Sequence, residues 1–262
     1  MKNYKTKQQH ISFLVIFLLL FLLPACTVDQ QKKQTARIEI LFDDDWKFQL
    51  GDVEDAEKPS FQDDSWRSLD LPHDWSIENL PNQEVGKVVG PFSKESIGTT
   101  ATGYTVGGTA WYRKTFTLDN DSRFSKVIIN FDGVYMNSEV WVNGKLVGSH
   151  PYGYTAFQLD ITEFINPASK PNVIAVKVKN EGRNSRWYSG SGIYRHVWLI
   201  QKQPVHVVHD GVFVHTEGIS ENEADVAISA TVENSTNDNV DVQLQIRIID
   251  ADGKVKIYNQ EQ

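Results

Sequence analysis

No stretch of this 262-residue chain holds a 3.6-residue apolar period for three turns, while β-branched and aromatic runs of strand length recur along it. Val127-Ile128-Ile129-Asn130-Phe131, Glu139-Val140-Trp141-Val142 and Val173-Ile174-Ala175-Val176-Lys177-Val178 are such runs. Asn143-Gly144 joins one of them to Lys145-Leu146-Val147-Gly148, a two-residue hairpin signal because both turn positions need positive φ. Asp252-Gly253 separates Ile248-Ile249 from Val255-Lys256-Ile257 in the same way. A single helical turn near Ile161–Ile165 is the most helix this pattern allows. Such spacing predicts an all-β protein: a jelly-roll-like β-sandwich over 37–203, then a partial immunoglobulin-like β-sandwich over 204–262. In the second part the strands read as Val205–Val214, Ala224–Glu233 and Val240–Ile249. Its 59 residues fall short of the roughly 100 of a complete sandwich of that kind.

Composition places the boundary. Residues 37–203 carry 23 aromatics, whereas 204–262 carry only Phe213 and Tyr258. Acidic excess moves the other way, with 11 acidic against 3 basic residues after 203. The overall charge of −8 argues against nucleic acid as a partner, since phosphate binding needs basic surface. One cysteine excludes an intrachain disulfide, and no Cys/His cluster has zinc spacing.

That cysteine lies in a processing signal. Lys2, Lys5 and Lys7 precede Ile11–Leu23, an apolar run too short to cross a bilayer as a helix but fitting the core of a secretory signal. Leu23-Pro24-Ala25-Cys26 resembles the bacterial lipobox, in which the Cys is lipidated and becomes the mature N-terminus. The alternative is an ordinary signal peptide with an incidental cysteine. The organisation expected is therefore a lipoprotein signal (1–25), a polar tether (26–36), the sandwich (37–203) and the partial sandwich (204–262). On that reading the protein is exported and membrane-anchored through Cys26, on the periplasmic or cell-surface face of a bacterial membrane. Acyl chains hold by burying methylenes, and two or more together hold firmly.

Five blocks in order point to a family. They are Phe61–Trp66 with Leu69–Glu78, Gly107–Phe116, Phe131–Gly144, Gly148–Phe157 and Asn184–Arg195. Pro72-His73-Asp74-Trp75 and Arg186-Trp187-Tyr188-Ser189-Gly190-Ser191-Gly192 are their most specific parts. Together they resemble family 2 glycoside hydrolases, and most of all the β-galactosidase-like branch. The resemblance implies an N-terminal sugar-binding jelly roll, an immunoglobulin-like sandwich and a (β/α)₈ barrel. It also implies retaining hydrolysis of β-linked sugars by two barrel glutamates. Those glutamates would lie beyond residue 262, so no glutamate here is assigned to catalysis and this chain alone is expected to be inactive. No cofactor is implied, and the partner implied is a β-linked oligosaccharide or polysaccharide.

Candidate binding residues follow from chemistry. Aromatic faces suit the C–H faces of sugars, and neighbouring carboxylates or guanidiniums bond hydroxyls. Asp74, Arg186 and Trp187 combine these features in loops. In family members the loop holding Arg186 and Trp187 reaches the mouth of the active site. Asp74 reads equally as a cap on the turn that follows it. Trp75 reads as core more readily than as ligand contact, and Trp111, Trp141 and Trp198 read as core. Asp43-Asp44-Asp45 lacks the spacing of a calcium loop and reads as a solvated acidic turn. Gly190-Ser191-Gly192 reads as a tight turn and not a phosphate cradle, because no helix start follows it. Two further functions stay open from the sequence: a stand-alone lipidated carbohydrate-binding module, and a non-functional gene fragment.

Overall fold

In the computed structural model, residues 36–78, 92–119, 121, 124–167, 169–183 and 189–261 are described. Their architecture is all-β. Strands β1 (Arg37–Leu41), β5 (Lys126–Phe131), β8 (Phe157–Asp160) and β10 (Val197–Lys202) form one sheet in the order β1-β10-β5-β8. Strands β2 (Trp46–Leu50), β3 (Arg67–Leu69), β4 (Gly108–Phe116), β6 (Ser138–Val142), β7 (Lys145–His150) and β9 (Asn172–Asn180) form a six-stranded sheet, β3-β2-β4-β9-β6-β7. Every pairing is antiparallel.

Alternation along each strand builds the core. On β4, Ala110 and Tyr112 point into the space between the sheets while Trp111 joins a separate cluster on the outer face. On β9, Ile174, Val176 and Val178 face inward and Ala175 faces outward. Trp46, Phe131 and Ile129 complete the inner layer without exposure. Asn143 and Gly144 take φ 51° and 79°, as the β6–β7 hairpin requires. The Asn143 side chain is also used: its Nδ2 donates to the Phe164 carbonyl (2.7 Å), and its Oδ1 accepts from Val173 N (2.9 Å). The expected helical turn is a 3₁₀ turn at Thr162–Phe164; two others, Trp75–Ile77 and Thr99–Thr102, carry no periodic signal.

Beyond residue 204, β11 (Val205–Ile219) pairs with β12 (Ala224–Asn234), and β13 (Leu244–Ile249) pairs with β14 (Val255–Glu261). The Asp250–Gly253 hairpin is present, with Asp250 Oδ1 accepting from Asp252 N and Lys254 N. Val240 and Val242, expected within the third strand, precede it and are exposed.

Two expectations about side chains change. Asp43 is no solvated turn residue: it is buried, and it accepts from His196 Nδ1 (2.6 Å) and Val197 N (2.9 Å). This clamps the start of β10 to the turn between β1 and β2. Trp111 is buried as expected, in a second hydrophobic cluster on the outer face of the sheet. Trp141 and Trp198 are only half-buried, and Trp198 Nε1 donates to Asp132 Oδ2 at 2.9 Å. Among the described residues, no helix is long and apolar enough to cross a membrane.

Candidate functional site

The two most specific motifs meet at one end of the sandwich, though 115 residues separate Ser76 from Ser191. His73 N donates to the Ile193 carbonyl (2.8 Å) and Trp75 N to the Ser191 carbonyl (3.0 Å), so the segments run together as a short ladder. Asp74 fastens them. Its Oδ1 accepts from Ser76 N at 2.8 Å, capping the 3₁₀ turn, and from Ser191 N at 2.8 Å. Ser191 is fully buried and receives Ser76 Oγ (2.6 Å) and Asn180 Nδ2 (2.6 Å) on its own hydroxyl oxygen. Trp75 is buried in the inter-sheet core, and its Nε1 donates to the Gly107 carbonyl.

Two glycines permit this approach. A Cβ on Gly190 would overlap Asp74 Oδ2. Gly192 has φ +127°, and a Cβ there would overlap the Tyr112 hydroxyl and sit 2.6 Å from the His73 carbonyl oxygen. The glycine turn therefore serves side-chain packing.

Beside the ladder, His73 is held between Tyr112 and an ion pair. Its Nδ1 lies 2.7 Å from the Tyr112 hydroxyl, and its Nε2 lies 3.0 Å from Glu78 Oε1. Arg67 grips both Glu78 oxygens, at 3.0 and 2.6 Å. Burial lowers the His73 pKa and keeps the ring neutral at pH 7. Burial also pushes the Tyr112 hydroxyl well above its usual range. For Glu78, burial acts upward, but the hydrogen bonds from Arg67 and His73 outweigh it and hold the carboxyl below its ordinary value.

An aromatic group completes this end. Tyr135 and Gly192 exchange backbone hydrogen bonds, both 2.9 Å. Tyr135 is buried and meets Tyr154 edge-on at 5.2 Å, and Tyr154 meets Tyr152 at 5.7 Å. Tyr194 donates to the Gly153 carbonyl at 2.7 Å. Tyr152 and Tyr154 are exposed, so their faces are available to a ligand. The sequence offered no local signal for these tyrosines, because Gly153 and Tyr154 form a turn and neither ring follows a strand alternation.

Of the sequence-chosen residues, Asp74 is placed at the heart of this end as a fastener, the capping alternative. Arg186, Trp187 and Cys26 lie outside the described residues. Among the described residues, no group of three or more His, Cys, Asp or Glu side chains is placed to hold a metal ion.

Comparison with known proteins agrees with this geometry. Residues 40–204 match the sugar binding domain of glycosyl hydrolases family 2. A beta-galactosidase of Bacteroides ovatus, BoGH2A, is 44% identical over 214 residues, which cover 81% of this chain and 24% of that protein. A solved glycosyl hydrolase family 2 member from Bacteroides cellulosilyticus superimposes with a TM-score of 0.78 at 42% identity, covering 85% of this chain and 28% of the other. The beta-glucuronidase of Bacteroides uniformis gives 0.71 at 28% identity, covering 86% and 26%. The chain thus spans about a quarter of the length of these relatives. With its two-sheet sandwich, its interlocked motifs and these matches, the chain belongs to glycoside hydrolase family 2.

Proposed function

We propose that this chain is the N-terminal portion of a retaining β-glycosidase and supplies loops that shape the sugar pocket, with both catalytic glutamates on a barrel beyond residue 262. The carrying observation is the lock between His73–Trp75 and Ser191–Ile193. It fixes Ser191–Ile193, which follow Arg186 and Trp187 in the chain, and Gly192 is bonded to Tyr135, against which the exposed Tyr154 packs. A rigid base under a binding loop lowers the cost of ordering it around a sugar. A chain covering a quarter of its relatives supports chemistry located elsewhere. The substrate we favour is a β-galactoside, from the likeness of these two motifs to the galactosidase branch; the glucuronidase relatives make a β-glucuronide the competing choice.

A chromogenic β-galactoside and its β-glucuronide counterpart, offered to purified residues 26–262, test the division of labour. Neither should turn over. Turnover abolished by a point substitution within the chain would overturn the reading. We further propose lipidation of Cys26 and export to a membrane surface. Radiolabelled palmitate should enter the full chain, and Cys26→Ser should remove the label; label retained by the variant would sink the anchor.

A further inference from the structure

We infer that the outer face of the six-stranded sheet carries a second saccharide site, separate from the loop end and selective for neutral sugars. The inference does not rest on the proposed glycosidase role, because its geometry is complete within the sheet and the segment that follows β2.

Register builds the site. Trp111 on β4 and Glu139 on β6 both pair with Lys177 on the intervening β9, so the three side chains stand in one row across the outer face. In the next row, Ala175 lies between Arg113 and Trp141. Alanine leaves room for the two indoles to approach, with centroids 5.2 Å apart and planes inclined by 33°. The segment following β2 covers only part of this face: Arg113, buried at 1% exposure, is bonded beneath it to Asp63 (2.8 Å) and to the Ala56 carbonyl. Above that cover a cavity of about 410 Å³ remains open beside Trp111, Trp141, Lys177, Glu139 and Asp52. This lies within the roughly 300–1,000 Å³ of ligand pockets, with room for a mono- or disaccharide.

Its polar groups are already oriented. Lys177 Nζ lies 2.6 Å from Asp52 Oδ1, and Trp111 Nε1 donates to the same oxygen at 3.3 Å. Lys179 Nζ holds Glu139 Oε2 at 3.1 Å. An ammonium beside a carboxylate offers one donor and one acceptor, which suits neighbouring hydroxyls of a sugar ring lying on the half-buried Trp141.

Charge narrows the ligand. Asp52, Glu54, Asp55, Glu57 and Glu139 line the cavity; Lys177, Lys58 and Lys179 pair with Asp52, Asp55 and Glu139, which leaves two carboxylates in excess, so an anionic sugar such as a uronate is repelled. Aromatic and acidic walls would also suit a quaternary ammonium. Here, however, the Lys177 ammonium already sits 5.3 Å from the Trp111 ring centre and fills that role. A neutral glycan remains.

Calorimetry on the full chain tests this with lactose and cellobiose, and with glucuronic acid and choline as contrasts. Lactose or cellobiose should bind at millimolar concentration, and the two contrasts should bind about tenfold more weakly or not at all. Trp141→Ala should weaken binding about tenfold or more. Glu139→Gln, which keeps the side-chain shape, should weaken it with an unchanged thermal melt. The binding that Trp141→Ala removes should persist in Tyr152→Ala, a change at the loop end. No binding of either disaccharide overturns the inference, as does equal binding of glucuronic acid. Binding lost with Tyr152→Ala but kept in Trp141→Ala also overturns it, and leaves the loop-end reading standing.

Discussion

The sandwich over 37–203 and the ribbons over 205–261 are both built of strand, the ribbons more densely, yet they differ in what the strands bury. In the sandwich, two sheets face each other and Trp46, Tyr112, Phe131 and Ile129 lose all or nearly all contact with water. In the ribbons, Val212, Phe213 and Val214 are each more than half exposed and Ile219 is 81% exposed. A two-stranded ribbon pairs each strand along one edge only, and among the described residues no second sheet covers the face at Val212–Val214. Strand formation is thus local, whereas stability comes from a second layer. The low aromatic content after residue 203 shows the same contrast in composition.

The largest effect expected is at the core. Trp46→Ala should cost about 3–5 kcal/mol and Phe213→Ala within about 0.5 kcal/mol, read by urea unfolding followed through tryptophan fluorescence. A loss at Phe213 comparable to that at Trp46 would break the comparison. A smaller effect separates two glycines with positive φ. At Gly253, in the ribbon turn, nothing lies within 4 Å of an added Cβ, so Gly253→Ala should cost about 1–2 kcal/mol for conformation alone. Gly192→Ala adds overlap with Tyr112 and the His73 carbonyl, about 1–3 kcal/mol more. Equal melting shifts for the two variants would mean that the motif lock is loose.

The smallest effect concerns pH. Burial lowers the His73 pKa below its ordinary 6.5, so below pH 6.5 the unfolded chain binds a proton that the folded chain resists. This contribution to stability is present in full above pH 6.5 and is lost as pH falls toward the lowered value. Glu78, held below its ordinary 4.5, adds a further loss once pH drops under that value. Urea midpoints from pH 7.5 to 5 should decline, and His73→Gln should flatten that slope. An unchanged slope in the variant would assign the decline to other groups.

Much of the fold could be read ahead of the structure, because its signals are local. The β6–β7 turn at Asn143-Gly144 and the Asp250–Gly253 hairpin follow from which residues tolerate positive φ. The short 3₁₀ turn at Trp75–Ile77 carries no period and showed only through its capping residue, Asp74. The site was legible as motifs and not as roles. The cap of Asp74 on Ser76 N could be expected from neighbouring residues, whereas its bond from Ser191 N, 117 residues on, could not. Tyr152 and Tyr154 lie within the family-like segment Gly148–Phe157, where no alternation marks which ring faces water.

By itself the sequence determined the all-β class, the strand runs, the two tight turns and the family, since these depend on backbone sterics and on residues close together in the chain. Tertiary structure alone decided that Asp43 is a buried clamp, that Asp74 is a fastener and that Trp111 lies outside the main core. It also decided that Trp111, Lys177 and Glu139 stand in one row. A side chain's role depends on which partner reaches it, and here those partners come from strands and loops tens to more than a hundred residues away.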